Sequence, residues 1–196
     1  MVANPLDDND FRNRVQSELQ QFIDAQRPLL AGISDDTQPL IDSLSDLVTG
    51  GKRLRAAFAY WGARAIGYED TNELVRACTS LEFLQACALI HDDVMDGSDT
   101  RRGKPAIHKQ FEARHTAEKL HGEARDFGAS AAILIGDLAL SWADELLIAS
   151  GLPQAEINRA KMVYDTMRTE LMAGQYLDVL EPVSYTHLTL PTILLV

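Results

Sequence analysis

The segment LEFLQACALIHDDVMD, residues 81–96, joins a long apolar helical stripe to a cluster of carboxylates. The stripe begins after Thr71 and repeats at helical spacing as far as His91. Asp92 and Asp96 are four residues apart and therefore share one face of that helix. A charge is costly to place on an apolar helix, and carboxylate oxygens suit Mg²⁺ bound together with substrate phosphates. The motif therefore indicates a metal site, although taken alone it leaves a solvated acidic helix end equally open.

Helical periodicity extends over most of the chain on both sides of this segment. No alternating strand pattern of useful length appears before residue 182, and residues 97–105 have the Gly, Ser, Thr and Pro content of a loop. The predicted helices cover residues 11–23, 40–48, 54–66, 71–92, 124–150 and 154–180. We therefore predict an all-α fold, with long antiparallel helices around an apolar centre.

Composition and charge narrow the classes of function. The 196 residues are 46% hydrophobic and 24% charged, which is typical of a globular domain. The net charge of -11 disfavours non-specific binding to nucleic acid or to an anionic membrane. The N-terminal residues contain no apolar stretch of signal-peptide length, and the chain has no uncharged run long enough to span a bilayer. These features predict a cytoplasmic protein without an integral membrane segment.

The two cysteines, Cys78 and Cys87, fit the same location. Their separation along a helix places them about 13 Å apart and on opposite faces, which is too far for a disulfide. We expect both to be small buried residues of a protein in a reducing compartment.

Basic residues are concentrated in two short segments although the chain is acidic. The first basic segment is GGKRLR, residues 50–55, and the second basic segment is RRGK, residues 101–104; together they hold six of the 18 Lys and Arg residues. The first lies near a helix start, whose free N–H groups favour anions, and the arginines of the second match phosphate oxygens. Each segment alone is more typical of a solvated basic patch than of a binding site. Together with the carboxylates they predict a site for two diphosphates, one neutralised by metal ions and one held by arginine and lysine.

Five stretches of the sequence carry a resemblance to a known family. They are GGKRLR (50–55), LEFLQACALIHDDVMD (81–96), TRRGKP (100–105), GDLAL (136–140) and ELMAGQYLDVL (170–180). In order and spacing they resemble the trans-isoprenyl diphosphate synthases, or polyprenyl synthetases, over residues 11–182. The resemblance implies an isoprenoid-synthase-type helical bundle around a central apolar cavity, usually a homodimer. It also implies a Mg²⁺-dependent prenyltransferase that condenses isopentenyl diphosphate with an allylic diphosphate and releases inorganic diphosphate.

The resemblance also implies a set of metal ligands. Asp92 and Asp96 match the family's metal ligands, with Asp93 beside them. Gln175 and Asp178, in AGQYLD, match a motif that faces the metal site from another helix, where Gln175 lies toward the substrate. Without the resemblance, Gln175 and Asp178 are equally an ordinary polar face.

The basic residues match the family's diphosphate contacts. Arg101 matches the arginine that contacts the allylic diphosphate, and with Asp92 and Asp96 it forms the implied catalytic group. The implied clamp on isopentenyl diphosphate consists of Lys52, Arg55, Gln85 and Arg102.

The length of the product is implied by the residues one turn before the acidic motif. Cys87 and Ala88 are both small, whereas large aromatic residues there would close the floor of the cavity early. We therefore expect a geranylgeranyl-sized or longer product, and we expect replacement of Cys87 by Phe to shorten it.

The C-terminal part departs from the family pattern. A second aspartate-rich motif and a downstream lysine-threonine segment do not occur, and residues 183–196, VSYTHLTLPTILLV, contain no charged residue and resemble translated sequencing-adapter read-through. We expect residues 1–182 to be the front part of a polyprenyl synthetase domain, followed by a non-native tail. The 196-residue chain is then expected to be inactive and to leave apolar faces of its last two helices exposed.

Two other functions remain open from the sequence. A non-catalytic subunit of a heteromeric prenyl synthase would keep the fold, but it has no need of both the acidic motif and the arginine pair. An ionising terpene cyclase shares the acidic motif, but it has no need of a clamp for a second diphosphate.

Overall fold

The computed structural model describes residues 10–184, with side chains to residue 180. The chain divides into two compact units, residues 1–152 and 153–196. The first unit contains α1 (Phe11–Ala31), α2 (Gln38–Val48), α3 (Leu54–Ala65), α4 (Asn72–Met95), β1 (Thr100–Arg101), β2 (Lys104–Pro105), α5 (Ile107–Glu118) and α6 (Ala124–Ile148). The described part of the second unit is the helix α7 (Gln154–Ser184). The all-α class predicted from the sequence is confirmed.

Helix α4 is the central element of the first unit, because α1, α2, α3, α5 and α6 all pack against it. The hydroxyl of Thr71 accepts a hydrogen bond of 3.2 Å from the backbone N–H of Leu74 and caps the start of the helix. The helix ends at Met95, and Gly97 follows with a φ of 63° that favours glycine. The acidic motif, residues 91–96, therefore lies at the last turn of the most surrounded helix.

An aromatic cluster forms part of the core between α1, α4 and α6. The rings of Phe22, Phe83 and Trp142 lie with centroids 5.3 to 5.8 Å apart in tilted and edge-on arrangements. The cluster lies on the part of α4 that precedes the acidic motif. It fixes α4 against its neighbours by apolar burial, so the helix can carry charged residues at its exposed end.

Two glycines allow α6 to approach its neighbours closely. A Cβ on Gly128 would lie 2.3 Å from the backbone carbonyl oxygen of His108 in α5, and a Cβ on Gly136 would lie 2.2 Å from Nε2 of His91 in α4. Neither space admits a methyl group, so glycine is required at both contacts.

The structure corrects the sequence prediction between residues 97 and 118. The predicted loop contains a short antiparallel hairpin in which Thr100 pairs with Pro105 and Arg101 with Lys104. Helix α5 was not predicted, because two of its four buried positions are the histidines His108 and His115 and the apolar stripe is broken.

Three further sequence predictions concern the cysteines, membrane-spanning helices and the C-terminal tail. Cys78 and Cys87 are free and buried, as expected. In residues 10–184 we find no helix whose length and hydropathy would let it span a bilayer. The backbone of α7 continues to Ser184, and residues 185–196 of the predicted tail lie outside the described residues.

Candidate functional site

The acidic motif is tied to the second basic segment by Arg101. Its Nε donates hydrogen bonds of 2.9 and 3.2 Å to the two carboxylate oxygens of Asp93, and a terminal nitrogen donates to Asp93 and, at 3.3 Å, to Asp92. The Asp93 side chain is only 5% exposed, whereas Asp92 is 31% exposed and Asp96 is exposed. The hydrogen bonds to Asp93 raise the pKa of the Arg101 guanidinium, so it stays charged. The three carboxylates of the acidic motif therefore differ in exposure and in their contact with Arg101.

The hairpin explains how Arg101 reaches the carboxylates. Arg102 and Gly103 form its two-residue turn, and both have positive φ angles, 53° and 77°. The loop is closed at its base by hydrogen bonds from Ser98 N to the Asp93 carbonyl and from Ala106 N to the Asp99 carbonyl, each 2.9 Å. The result is a rigid hairpin that directs Arg101 toward the end of α4 and presents Arg102 at its tip.

The first basic segment forms a tight turn between α2 and α3. Gly50, Gly51 and Arg53 have positive φ angles of 76°, 96° and 55°. The Arg53 side chain is buried and donates a hydrogen bond of 2.9 Å to Glu82 of α4. Lys52 and Arg55 are exposed. Arg53 therefore holds the turn to α4, and its two basic neighbours face solvent.

The structure brings the two basic segments together. A terminal nitrogen of Arg102 lies 3.7 Å from the position that a Cβ on Gly51 would occupy, and 3.5 Å from the carbonyl oxygen of Leu47. A Cβ at position 51 would make an ordinary van der Waals contact with this guanidinium, and the φ of 96° is what favours glycine there. The tip of the hairpin therefore lies beside the glycine turn.

A cavity of about 240 Å³ lies between the ends of α2 and α4, the hairpin and the first turn of α5. Its charged and amide lining residues are Asp46, Asp93, Arg101, Arg102, Lys104 and Gln110. Lys52, Arg55 and Gln85 are not among its lining residues. Lys104 was part of the basic pattern in the sequence but was not assigned to the site. Asp46 and Gln110 carry no sequence signal, because only the tertiary fold brings α2 and α5 to this cavity.

The remaining predicted residues lie on two helices. On α4, Gln85 and Ala88 are half-buried and Cys87 is buried, where desolvation raises the pKa of its thiol to about 11. On α7, in the second unit, Gln175 is half-buried and Asp178 is exposed. Within the part of the chain that the structure describes, no three His, Cys, Asp or Glu side chains are grouped as a metal ion would require.

The comparisons with known proteins agree with these motifs. The sequence model of the family described as polyprenyl synthetase matches residues 37–191, more than half of the chain. The chain belongs to the polyprenyl synthetase family. The resemblance predicted from the motifs is therefore confirmed.

Two solved structures of this family resemble the chain in fold and sequence. A geranylgeranyl pyrophosphate synthase from Corynebacterium glutamicum, complexed with isoprenyl diphosphate and magnesium, superposes with a TM-score of 0.84 at 40% identity, covering 89% of this chain and 51% of that one. A second structure, of a putative geranylgeranyl pyrophosphate synthase from the same organism, gives a TM-score of 0.68 at 32% identity and covers 92% of this chain and 48% of that one.

Curated relatives differ in the product that their names give. A geranylgeranyl pyrophosphate synthase from Geoglobus acetivorans is 32% identical over 68% of this chain, and an octaprenyl diphosphate synthase from Haemophilus influenzae is 32% identical over 66%. This polyprenyl synthetase chain spans about 36% of the length of each.

Proposed function

We propose that the protein is a prenyltransferase that condenses isopentenyl diphosphate with an allylic diphosphate and gives a longer trans-polyprenyl diphosphate. The observation that carries this proposal is that the hairpin brings the second basic segment against the acidic motif and beside the first basic segment. Arg101 contacts Asp92 and Asp93, and Arg102 lies beside Gly51. The names of the related synthases support the same chemistry.

The exposure of the cations supports distinct roles in binding. Lys52, Arg55 and Arg102 are exposed, and Arg102 lies beside Gly51, the residue before Lys52. These cations suit a clamp on the diphosphate of isopentenyl diphosphate, to which the family resemblance adds Gln85. Arg101 is half-buried and pairs with the carboxylates, so an allylic diphosphate would compete with Asp92 and Asp93 for its guanidinium. Lys104 lines the same cavity as Arg101 and Arg102, and we add it to the candidate anion contacts.

The acidic motif fits Mg²⁺ through its donor chemistry. Asp92 and Asp96 offer hard carboxylate oxygens within reach of solvent, and Mg²⁺ keeps waters and is commonly bound through one or two carboxylates together with substrate phosphates. Bound Mg²⁺ would neutralise the charge that develops on the departing diphosphate. Asp93 is engaged by Arg101, so its contribution as a ligand requires that this pair opens, and Asp178 of α7 stays a proposed ligand.

The chain's own residues supply positioning and exclusion of water. The ion pair between the buried Asp93 and the half-buried Arg101 fixes the hairpin against α4, which sets the distance between the cations and the acidic motif. The apolar face of α4 beyond the motif, on which Cys87 lies, suits a growing hydrocarbon chain that must be kept from water. Small residues at positions 87 and 88 support a geranylgeranyl-sized or longer product.

A homodimer and a cytoplasmic location belong to the same proposal. The two free cysteines are consistent with a reducing compartment. Helix α6 leaves Leu134 61% exposed and helix α7 leaves Met162 74% exposed, which supports the expectation that apolar faces of both helices need further covering.

The experiment that tests the function uses the gene's full reading frame beside the 196-residue chain, because the chain spans about 36% of its relatives. Both proteins are incubated with isopentenyl diphosphate, allylic starters and Mg²⁺. We expect elongated diphosphates from the full frame and none from the 196-residue chain. Hydrocarbon products would favour an ionising cyclase, and turnover that needs a partner chain would favour a heteromeric subunit. Either result would overturn the proposal.

A further inference from the structure

His91 fills the space that Gly136 leaves on α6. A Cβ at position 136 would lie 2.2 Å from Nε2, 2.4 Å from Cδ2 and 2.9 Å from Cε1 of the His91 ring. The Nε2 side of the ring therefore lies against α6 at Gly136, and His91 is the residue before Asp92. Because the site admits no side chain at position 136, the fit fixes how the last turn of α4 is rotated relative to α6.

The hydrogen-bond partners of the ring determine which nitrogen carries the proton. Nε2 lies 3.1 Å from the carbonyl oxygen of Ile133 and 3.5 Å from a carboxylate oxygen of Asp137. Both partners are acceptors, so Nε2 must be the donor. On the other side of the ring, Nδ1 lies 3.8 Å from Sγ of Cys87. Burial raises the pKa of this thiol to about 11, so the thiol can be the hydrogen-bond donor and Nδ1 the acceptor.

We propose that Cys87 and His91 are positioning residues for the acidic motif: the Cys87 thiol donates to His91 Nδ1, His91 Nε2–H donates to the Ile133 carbonyl, and the ring seated over Gly136 locks the end of α4 to α6. The end of α4 is then held from two sides, since Asp93 ties it to the hairpin through Arg101. Asp92 follows His91 directly, and Asp96 lies one turn further. The effect on diphosphate binding rests on the proposed function, whereas the hydrogen-bond chain itself does not.

This role separates Cys87 from Ala88. If Cys87 acts through His91, its replacement by Phe disturbs the acidic motif as well as any cavity floor. Ala88 is half-buried and makes none of these contacts among the described residues. Ala88→Phe is therefore the cleaner test of product length, and Cys87 is better judged by its effect on His91.

The first experiment reads the ring directly by ¹⁵N NMR of the 196-residue chain. We expect the His91 tautomer that carries its proton on Nε2 and accepts the thiol hydrogen bond at Nδ1. Protonation at Nδ1, or an equal mixture of the two tautomers, would overturn the proposal. The amide signals of residues 92–96 and the Nε–H signal of Arg101 report on the motif in the same spectra.

Variants then separate positioning from general packing. Cys87→Ala removes the thiol donor and should shift the signals of the motif, and Cys87→Ser, which keeps a donor, should restore them. Cys78→Ala is the matched control, because it removes the other buried cysteine of α4 thirteen residues before His91. Equal shifts of the motif in Cys87→Ala and Cys78→Ala, or a failure of Cys87→Ser to restore them, would contradict the proposal.

Titration of the same proteins with inorganic diphosphate and Mg²⁺ gives an independent readout. We expect Cys87→Ala to weaken binding about tenfold, as loss of an outer contact to a ligand-bearing segment does, with Cys78→Ala and Cys87→Ser close to the parent chain. Equal affinities for all variants would refute the positioning role. Absence of binding by the parent chain would contradict a diphosphate site on these residues, and the ring signature would then decide the hydrogen-bond chain by itself.

Discussion

The two basic segments are both attached to α4 by an ion pair, but the two pairs differ in how far they are buried. Each contributes one arginine that pairs with a carboxylate of α4, Arg53 with Glu82 and Arg101 with Asp93. Each also presents exposed cations beside that arginine. The paired side chains differ in exposure, because Arg53 is 4% exposed and Arg101 is 29% exposed.

The difference indicates which arginine can exchange its partner. Arg53 also donates hydrogen bonds to the side chain of Gln16 and to the carbonyl of Val48. Its guanidinium is therefore held by three acceptors in a buried position. Arg101 touches two adjacent carboxylates and borders an open cavity. We infer that Arg53 keeps the glycine turn attached to α4, whereas Arg101 could leave a carboxylate for the diphosphate of a proposed substrate.

The largest expected effect is the loss of Arg53. In Arg53→Met the carboxylate of Glu82, 11% exposed, loses its cation, and the Val48 carbonyl loses a donor. We expect the free energy of unfolding to fall by about 3–5 kcal/mol, as for other broken buried ion pairs. Urea denaturation followed by circular dichroism measures it.

Arg55 provides the matched control in the same turn. Its side chain is exposed, so Arg55→Met should change stability by less than about 0.5 kcal/mol. Equal losses in the two variants would show that the turn does not depend on the buried pair, and the contrast between the segments would disappear.

The second effect concerns Arg101 and is expected to be smaller. Arg101→Met leaves Asp93 buried without its cation, which should cost about 1–3 kcal/mol because Arg101 itself is partly solvated. In the double variant with Asp93→Asn, the uncharged amide should recover part of that loss. Urea denaturation of both single variants and the double variant gives the coupling energy. A coupling energy near zero would mean that the pair contributes nothing to the position of the hairpin.

The sequence located the acidic motif at the end of α4 because this placement depends on spacing within one helix. The apolar period and the Thr71 start located α4, and the four-residue separation placed Asp92 and Asp96 on one face. The same spacing could not show that Asp93 is the carboxylate that Arg101 takes. That choice depends on the turn of the hairpin, where Arg102 has a positive φ. Positive φ is uncommon for arginine, so the sequence did not predict this turn.

Contacts between helices were beyond the reach of the sequence. Gly136 belongs to the GDLAL stretch, but its role could not be predicted from the sequence. Only the packing of α6 against α4 shows that it makes room for His91. Helix α5 was missed because histidines occupy buried positions where the period calls for apolar residues. Arg53, equally basic in sequence to Lys52 and Arg55, proved to be a core residue.

The smallest expected effect is a pH dependence of stability from His108, which follows the hairpin that carries the second basic segment. His108 lies in the first turn of α5, directly after the hairpin, and is 8% exposed. Among the described residues its Nδ1 has no hydrogen-bond partner. Burial, helped by the charge of Lys109, lowers the pKa of His108 below 6.5, although Asp93, Glu112 and Asp99 oppose the shift.

The sign of the pH effect follows from which state binds the proton. Below pH 6.5 the unfolded chain takes up a proton at His108 that the folded chain resists, so unfolding is favoured. Its contribution to stability is therefore complete above about pH 7 and declines from pH 6.5 down to the folded pKa. Urea denaturation of His108→Gln between pH 7.5 and pH 5 should show a shallower decline than the parent chain. His121→Gln, at an exposed position, should keep the parent profile. If His108→Gln declines as steeply as the parent, the hairpin is no more sensitive to pH than the glycine turn.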